Sequence, residues 1–156
     1  MMASISTGQD RAVPDGSLVN WPTFEEALVA ASENDRIILI DVYSPRCPWC
    51  RKVQNEVYTD KEFQKYLYET FELGRIDITV DTDTVSFKEF ELSSAQLGAG
   101  LGATGTPTTI FLESNGDYIT RLPGFHVLDE FFDVLKFIGS ESFREMSFEE
   151  FMEEKK

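Results

Sequence analysis

The chain has 156 residues, of which 42% are hydrophobic and 27% are charged, so its length and composition fit one globular domain and exclude a disordered chain. Its 28 Asp and Glu against 14 Lys and Arg give a formal net charge of -14, which would repel phosphate backbones and argues against nucleic acid as a partner. No apolar run approaches the roughly 18 residues of a membrane span.

The first part of the chain predicts a leader, a helix and a buried strand. Residues 1–16 are polar and lack the basic and apolar stretches of a signal peptide, so we expect a flexible leader there. Thr23 and Glu26 form a capping box ahead of apolar residues at helical spacing, which predicts a helix that ends near Asn34. The continuous apolar run Ile37–Tyr43 predicts a strand covered on both faces.

A helix and a second strand are predicted next. Residues 47–57 contain neither glycine nor proline after Pro48, which predicts a helix that opens at a cysteine motif. A second capping box, formed by Thr59 and Glu62, predicts that this helix continues after a kink. Residues 72–79 alternate between apolar and polar side chains, and we expect them to form the next strand.

Residues 80–92 are acidic and are predicted to be an irregular insertion. A short helix is predicted to follow from Ser93 or Ser94, before a glycine-rich stretch. Acidic residues are concentrated in this region and again in the tail at 141–154. Such runs are either solvated faces or a docking surface for a basic partner, and we favour solvated faces.

The last part of the chain predicts a β-hairpin and two helices. Residues 108–122 read as two strands joined at Asn115-Gly116, a dipeptide that tolerates the positive φ values of a tight turn. Residues 128–139 form an amphipathic helix that stops at a glycine. A Ser-x-x-Glu capping box at 147–150 begins a short acidic helix, which we expect to pack on the body rather than dock a partner.

This order of elements predicts an α/β fold, in which a mixed sheet carries helices on both faces. We divide the chain into the leader at 1–16, one domain at 17–139 and an acidic helical extension at 140–156.

Both cysteines of the chain lie in one Cys-Pro-Trp-Cys motif between a predicted strand and a predicted helix. At the start of that helix, unpaired N–H groups and the helix dipole would favour a thiolate at Cys47, which we predict to be the attacking nucleophile. Cys50 lies one turn further on and is predicted to resolve the mixed disulfide. Pro48 suits the first helical turn and Trp49 offers an exposed aromatic surface for a substrate, while the charge of Arg46 also favours the thiolate.

Two other interpretations of the cysteine pair are a metal clip and an inert buried pair. The chain has no further cysteine and only one histidine, so the four soft ligands of structural zinc are not available. We therefore predict redox activity, with no metal and no other cofactor.

Four segments around the motif have the order and spacing of a known family. They are residues 37–43 before the motif and residues 75–78, residues 105–108 and Gly124 after it. In these segments and in the motif itself, the chain resembles the thioredoxin superfamily over about residues 20–139. The resemblance implies a thioredoxin fold, with a central mixed β-sheet flanked by helices, an insertion before the cis-proline loop and an extra C-terminal helix.

The same resemblance implies roles for residues outside the motif. Asp41 would be the acid buried beneath the dithiol, where it assists removal of the proton from Cys50. Arg75 aligns with a lysine that pairs with this acid in many thioredoxins. Thr106 and Pro107 look like the cis-proline loop, which lies against the dithiol and presents the Thr106 backbone to an extended substrate peptide.

The chain also departs from thioredoxin itself. Arg46 stands where thioredoxins usually have Trp, and the residues between the cysteines are Pro-Trp rather than Gly-Pro. The insertion at 80–92 and the segment 121–125 look closest to periplasmic thioredoxin-like proteins, namely the Sox-cluster thioredoxins and the C-terminal domain of DsbD-type reductases. The likeness implies a mature periplasmic enzyme whose signal peptide has been removed, with a cytoplasmic location as the alternative.

The activity implied by this likeness is reduction of protein or peptide disulfides by a monomer that receives electrons from a membrane thiol carrier. One alternative is a disulfide oxidant or isomerase, which differs only in reduction potential. Another is a binding module that holds a partner through the cis-proline groove, Trp49 and the Phe-rich tail without catalysis.

Overall fold

The structure is a computed structural model in which residues 12–156 are described. Most of the predicted leader, residues 1–11, lies outside them. Gly16 is already tied to the body of the protein, because its N–H donates to Oε1 of Gln64 at 2.9 Å. The division of the chain into leader, domain and extension stays a prediction.

The described residues form six α-helices and six β-strands. The helices are α1 (Phe24–Asn34), α2 (Pro48–Glu56), α3 (Lys61–Thr70), α4 (Ser94–Gly100), α5 (Leu128–Gly139) and α6 (Phe148–Lys155), with a 3-10 turn at Ser142–Arg144. The strands are β1 (Ile37–Tyr43), β2 (Phe71–Asp77), β3 (Val85–Phe87), β4 (Phe90–Leu92), β5 (Thr108–Leu112) and β6 (Tyr118–Pro123). None of the helices formed by residues 12–156 is long and apolar enough to cross a membrane.

The central sheet has the strand order β2-β1-β5-β6. Strand β1 pairs in parallel with β2, placing Asp41 opposite Arg75, and antiparallel with β5, placing Asp41 opposite Thr109. Strands β5 and β6 form the predicted antiparallel hairpin. The sheet is therefore mixed, as predicted, and the continuous apolar run of β1 is explained by its central position.

Helices cover both faces of this sheet. On one face Leu39 of β1 and Leu73 of β2 pack against α2, α3 and α5 in a core rich in aromatic rings. On the other face Ile38, Ile40 and Val42 pack against α1, α4 and the β3-β4 hairpin. Because successive side chains of a strand point to opposite faces, Asp41 lies on the same face as Leu39, under α2.

The predicted kinked helix is wrong, because two separate helices occupy that region. Helix α3 is capped by Asp60, whose Oδ1 accepts a hydrogen bond from the N–H of Phe63 at 2.9 Å. The Thr59 hydroxyl instead donates to the carbonyl of Asn55 at 2.6 Å, near the end of α2. An aspartate caps at least as well as a threonine, so the cap moves by one residue and a turn separates the two helices.

The insertion at 80–92 is more regular than predicted, because it contains the small β3-β4 hairpin. Lys88 adopts a φ of 56° at its turn, and Phe87 packs edge-on against a phenylalanine of α1 with 5.2 Å between ring centroids. The hydroxyl of Ser93, which caps α4 as predicted, donates to Oδ1 of Asp81 at 2.9 Å. Packing on α1 and hydrogen bonding to the start of α4 therefore order a segment whose sequence reads as irregular.

Strand β2 begins one residue before its predicted start and ends two residues before its predicted end. The early end follows from a turn in which Oδ1 of Asp77 accepts hydrogen bonds from the N–H and the hydroxyl of Thr79, at 2.9 and 2.7 Å. An aspartate that bonds the backbone two residues on competes with continuation of the strand.

The C-terminal helix packs on the body, as predicted. Phe137 of α5 lies 5.3 Å from both Phe148 and Phe151 of α6, measured between ring centroids. Lys155 also forms an ion pair with Asp133 of α5. Helix α6 is therefore held by aromatic contacts along one side and by a charge pair near its end.

Candidate active site

The cysteine motif lies at the start of α2, at one end of the central sheet. Cys47 is the N-cap residue with an extended backbone, and Pro48 is the first helical residue, as the sequence predicts. The N–H of Cys50 donates to Sγ of Cys47 at 3.1 Å, and the two cysteines form a disulfide with their Cα atoms 5.2 Å apart. Cys47 is 8% exposed and Cys50 is 3% exposed, so the sulfur reachable by a partner belongs to Cys47.

A carboxyl group is buried on the α2 face of the sheet. Asp41 of β1 is 1% exposed, and burial raises its pKa from 3.8 to about 6 although Arg75 acts to lower it. Its Oδ2 accepts hydrogen bonds from Nε of Arg75 at 2.9 Å and from Nε2 of Gln54 at 3.2 Å. Gln54 is one turn beyond Cys50 on α2, so the carboxyl is linked to the helix face that carries the second cysteine.

Two aromatic rings contact Arg75, the cation that pairs with Asp41. The guanidinium carbon of Arg75 lies 3.5 Å from the ring centroid of Tyr43 and 5.8 Å from that of Trp21. The indole N–H of Trp21 donates to Oε1 of Gln54 at 3.0 Å. Trp21, Tyr43, Gln54 and Arg75 therefore surround Asp41, and the pairing of Arg75 with the acid that the resemblance implied is confirmed.

Of the residues that surround Asp41, only Arg75 was predicted from the sequence. Gln54 carried a usable signal, because a polar residue four positions after Cys50 faces the same side of a helix. Trp21 lies 33 residues before Gln54, and Tyr43 reads simply as the last residue of a strand. No local pattern connects these two rings to the dithiol.

A shallow depression of about 340 Å³ lies beside the cysteine motif. Its lining consists of Trp49, Thr106, Pro107, Gly124 and Phe125. The peptide bond between Thr106 and Pro107 is cis, and the N–H of Gly124 donates to the Pro107 carbonyl at 2.8 Å. The structure thus brings Thr106, Pro107 and Trp49 together at the dithiol end of the sheet.

Trp49 is the exposed aromatic side chain of the motif, with 54% of its surface open to solvent. Its ring lies 5.5 Å from that of Phe125, measured between centroids. Nζ of Lys52 lies over both rings, 5.2 Å from the centroid of Trp49 and 5.1 Å from that of Phe125. The two rings and the ammonium group form one mixed apolar and cationic surface beside Cys47.

A second cleft, of about 290 Å³, approaches the motif from the other side. Cys50, Gln54, Arg75, Trp21 and Tyr43 are among its lining residues. This cleft therefore gives solvent access to the groups that hold Asp41, while Cys50 lies at its wall and stays 3% exposed.

Within residues 12–156, no three His, Cys, Asp or Glu side chains are grouped so that they could hold a metal ion. The reactive groups that these residues bring together here are the two sulfurs and the buried carboxyl.

Comparisons with known proteins agree with this geometry. The family model described as a thioredoxin-like domain matches residues 24–139. The disulfide bond reductase DsbH of Chlamydia pneumoniae is 24% identical over 115 residues, which cover 73% of this chain and 68% of that protein. A thioredoxin-fold protein from Helicobacter pylori superposes with a TM-score of 0.65 at 25% identity, covering 78% of this chain and 80% of that one.

The C-terminal domain of Neisseria meningitidis DsbD, solved in its oxidised form, superposes with a TM-score of 0.53 at 20% identity. The superposition covers 74% of this chain and 97% of that one. The likeness to DsbD-type domains that the sequence indicated is thus confirmed for the fold, whereas the likeness to Sox-cluster thioredoxins stays a prediction.

Proposed function

Because the chain belongs to the thioredoxin-like family and is a thiol-disulfide oxidoreductase, we propose that it works as a reductase of protein disulfides through Cys47 and Cys50. The observation that carries the proposal is the position of Cys47 as the cap of α2, with Cys50 within disulfide-bonding distance. The relative from Chlamydia pneumoniae is a disulfide bond reductase, which supports the reducing direction.

In the first step the reduced Cys47 acts as the nucleophile. Free N–H groups and the positive end of the α2 dipole stabilise its thiolate, and the N–H of Cys50 already points at its sulfur. The thiolate attacks one sulfur of the substrate disulfide, forming a mixed disulfide and releasing the other substrate sulfur as a thiolate, which takes up a proton.

In the second step Cys50 attacks the Cys47 sulfur of the mixed disulfide. Its thiol proton passes to Asp41, the second substrate sulfur leaves as a thiolate, and the disulfide between Cys47 and Cys50 closes. Asp41 then gives its proton to solvent, from which the substrate thiolate takes one up. A carboxyl with a pKa of about 6 is mostly ionised at neutral pH, yet basic enough to accept a proton from a thiol. In total the substrate gains two electrons and two protons, which the dithiol loses.

Substrate binding is assigned to the surface beside Cys47. We propose that an extended segment of the substrate lies along the backbone of Thr106 and Pro107 and contacts Pro48 and Trp49. Backbone pairing of this kind accepts many sequences, so the substrates are proteins or peptides that carry a disulfide. The exposure of Trp49 supports this assignment.

The cellular setting follows from the likeness to DsbD-type domains and is part of the proposal. We place the mature protein in the periplasm as a monomer, reduced by a membrane thiol carrier and requiring no cofactor. Export can be tested by fractionating cells that express the full-length gene product. Recovery with cytoplasmic markers alone would overturn this assignment.

The activity is tested with two cysteine variants. The reduced wild type should reduce insulin disulfides, whereas Cys47→Ser should not. Cys50→Ala should accumulate a covalent mixed disulfide with its substrates, because the second step is lost while the first remains. An active Cys47→Ser variant would contradict the assigned roles, and an inactive wild type would leave the oxidant and binding-module alternatives.

The direction is tested by equilibrating the dithiol with glutathione buffers. A reduction potential near about -270 mV fits a reductase, whereas one near about -120 mV fits an oxidant. The second result would keep the chemistry of both sulfurs but reverse the proposed direction.

A further inference from the structure

The dithiol end differs in charge from the rest of this acidic chain. The three segments that meet at the depression beside Cys47 are residues 44–55, residues 101–112 and residues 118–128. None of these segments contains an Asp or a Glu, although the whole chain contains 28 of them. Three adjoining segments without a carboxylate are a local exception on a chain with a net charge of -14.

Three exposed cations flank the two cysteines in sequence, namely Arg46, Arg51 and Lys52. Arg51 donates to the carbonyl of Pro45 at 3.2 Å and Lys52 lies over aromatic rings, but none of the three forms an ion pair within residues 12–156. Some lysines elsewhere do so, since Lys88 pairs with Asp117 and Lys155 pairs with Asp133.

Within the described residues, the positive charges next to the dithiol are therefore not paired with a carboxylate. We call Arg46, Trp49, Arg51, Lys52 and Phe125 together the basic rim. Trp49, Lys52 and Phe125 are in mutual contact, Arg46 directly precedes Cys47, and Arg51 lines the second cleft. Its aromatic rings supply apolar contact area and its cations supply charge, so its complement is a segment that carries both carboxylates and an apolar side chain.

Resting on the proposed reductase activity, we propose that the basic rim selects disulfides whose cysteines are flanked by acidic side chains. The acidic remainder of the chain would repel such a substrate at long range. At physiological salt, however, exposed charges are screened beyond about 8 Å, so the cations nearest the bound segment decide the encounter. A substrate flanked by lysines meets like charges at the site of reaction and is disfavoured.

The test uses three synthetic peptides, each with one intramolecular disulfide and one aromatic residue, in which two flanking positions are Glu, Gln or Lys. Prereduced protein in excess supplies the two electrons, and the rate of peptide reduction is measured at about 0.15 M salt and at high salt. The Glu peptide should react about tenfold faster than the Lys peptide at about 0.15 M salt, with Gln between them. The ratio should fall to within about twofold near 1 M salt, where screening reaches about 3 Å.

Variants locate the effect. A triple variant with Arg46→Gln, Arg51→Gln and Lys52→Gln should bring the rates for the Glu and Lys peptides to within about twofold at about 0.15 M salt. The matched control changes Lys61, Lys65 and Lys156 to Gln, removing the same formal charge from exposed positions outside the rim, and should keep the preference of the wild type.

Equal rates for all three peptides with the wild type would overturn the proposal while leaving the reductase activity intact. Loss of the preference in the control variant would also overturn it, by assigning the effect to net charge. If the wild type reduced none of the peptides, the reductase proposal itself would fall together with this one.

Discussion

Helices α2 and α6 are similar in length, with 9 and 8 residues, but they begin in different ways. Helix α6 has a complete capping box, in which the Ser147 hydroxyl accepts from the N–H of Glu150 and the Glu150 carboxylate accepts from the N–H of Ser147. Glu149 and Glu150 also place two acids in its first turn. Helix α2 has no acid in its first turn, and its cap is the sulfur of Cys47.

This difference shows that the start of a helix can serve either the stability of the fold or the reactivity of a side chain. The box of α6 satisfies two backbone donors with oxygen atoms and complements the helix dipole with carboxylates, which stabilises the helix. At α2 the same donors and the same positive end are left to one sulfur. No acidic side chain in the first turn of α2 competes with Cys47 for the helix dipole. The dipole therefore stabilises the thiolate of Cys47 rather than the folded state.

The sharpest test of this difference replaces the cap atom. In Cys47→Ser the hydroxyl should still cap α2, so the free energy of unfolding should stay within about 0.5 kcal/mol of that of the reduced wild type, while Cys47→Ala should lose about 1 kcal/mol. Insulin reduction should fall by at least about 1,000-fold in both variants, because the nucleophile is gone. Denaturant unfolding and turnover assays on the same samples measure the two effects, and equal stability of both variants would deny the sulfur any capping role.

The next largest effect concerns the buried acid under α2. Asp41→Asn should slow resolution of the mixed disulfide by at least about tenfold at neutral pH, because the proton of Cys50 loses its acceptor. Rapid-quench measurement of the mixed disulfide reports this step directly. Asp129→Asn, an exposed acid on α5, is the matched control and should resolve at the wild-type rate.

The same variant predicts a pH dependence of stability. Burial raises the pKa of Asp41 to about 6, so the folded chain binds its proton more tightly than the unfolded chain does. The contribution of this proton is complete below about pH 4 and is lost as the pH rises through about 6. Relative to Asp41→Asn, the wild type should lose about 3 kcal/mol of unfolding free energy between pH 4 and pH 7. Denaturant unfolding at each pH measures this difference. If the difference in unfolding free energy between the two proteins did not change from about pH 4 to about pH 7, the raised pKa would be contradicted.

A smaller effect should follow when α2 is made to resemble α6. Trp49→Glu places an acid in the first turn of α2, where it competes with the thiolate for the helix dipole. Alkylation of Cys47 by iodoacetamide at neutral pH should become about two- to fivefold slower than in Trp49→Gln, the control that removes the ring without adding charge. Equal rates in the two variants would show that the field of α2 does not reach the sulfur.

The smallest effect is expected at α6 itself. Ser147→Ala should cost up to about 1 kcal/mol, seen as faster amide hydrogen exchange in α6, with disulfide reduction unchanged. Ser147→Asp keeps an oxygen acceptor and should restore the protection. A loss of activity in Ser147→Ala would mean that α6 communicates with the dithiol.

The sequence predicted those elements whose signals are local. The capping boxes at Thr23 and Ser147 and the hairpin turn at Asn115-Gly116 involve residues within a few positions of one another, and all three are confirmed. Thr59 and Asp60 are neighbouring candidates for the cap of α3, and the sequence pattern does not decide between them. The β3-β4 hairpin was missed because its strands have three residues each and are held by packing on α1.

The candidate site divides in the same way. The position of Cys47 at a helix start follows from the adjacent strand and from Pro48, and the structure confirms it. The frame around Asp41 depends on Trp21, which reaches the site only because the chain before α1 crosses back to α2. Contacts of that kind depend on tertiary packing, so they cannot be predicted from the spacing of residues in the sequence.

The positions of the two indole rings have a practical consequence. The chain contains only two tryptophans; Trp49 lies between the cysteines, and Trp21 is hydrogen-bonded to the side chain that holds the buried acid. Both indole fluorophores therefore belong to the candidate site, and opening or closing of the disulfide should change their emission. Oxidation and reduction of the dithiol can therefore be followed in real time by intrinsic tryptophan fluorescence, without an attached dye.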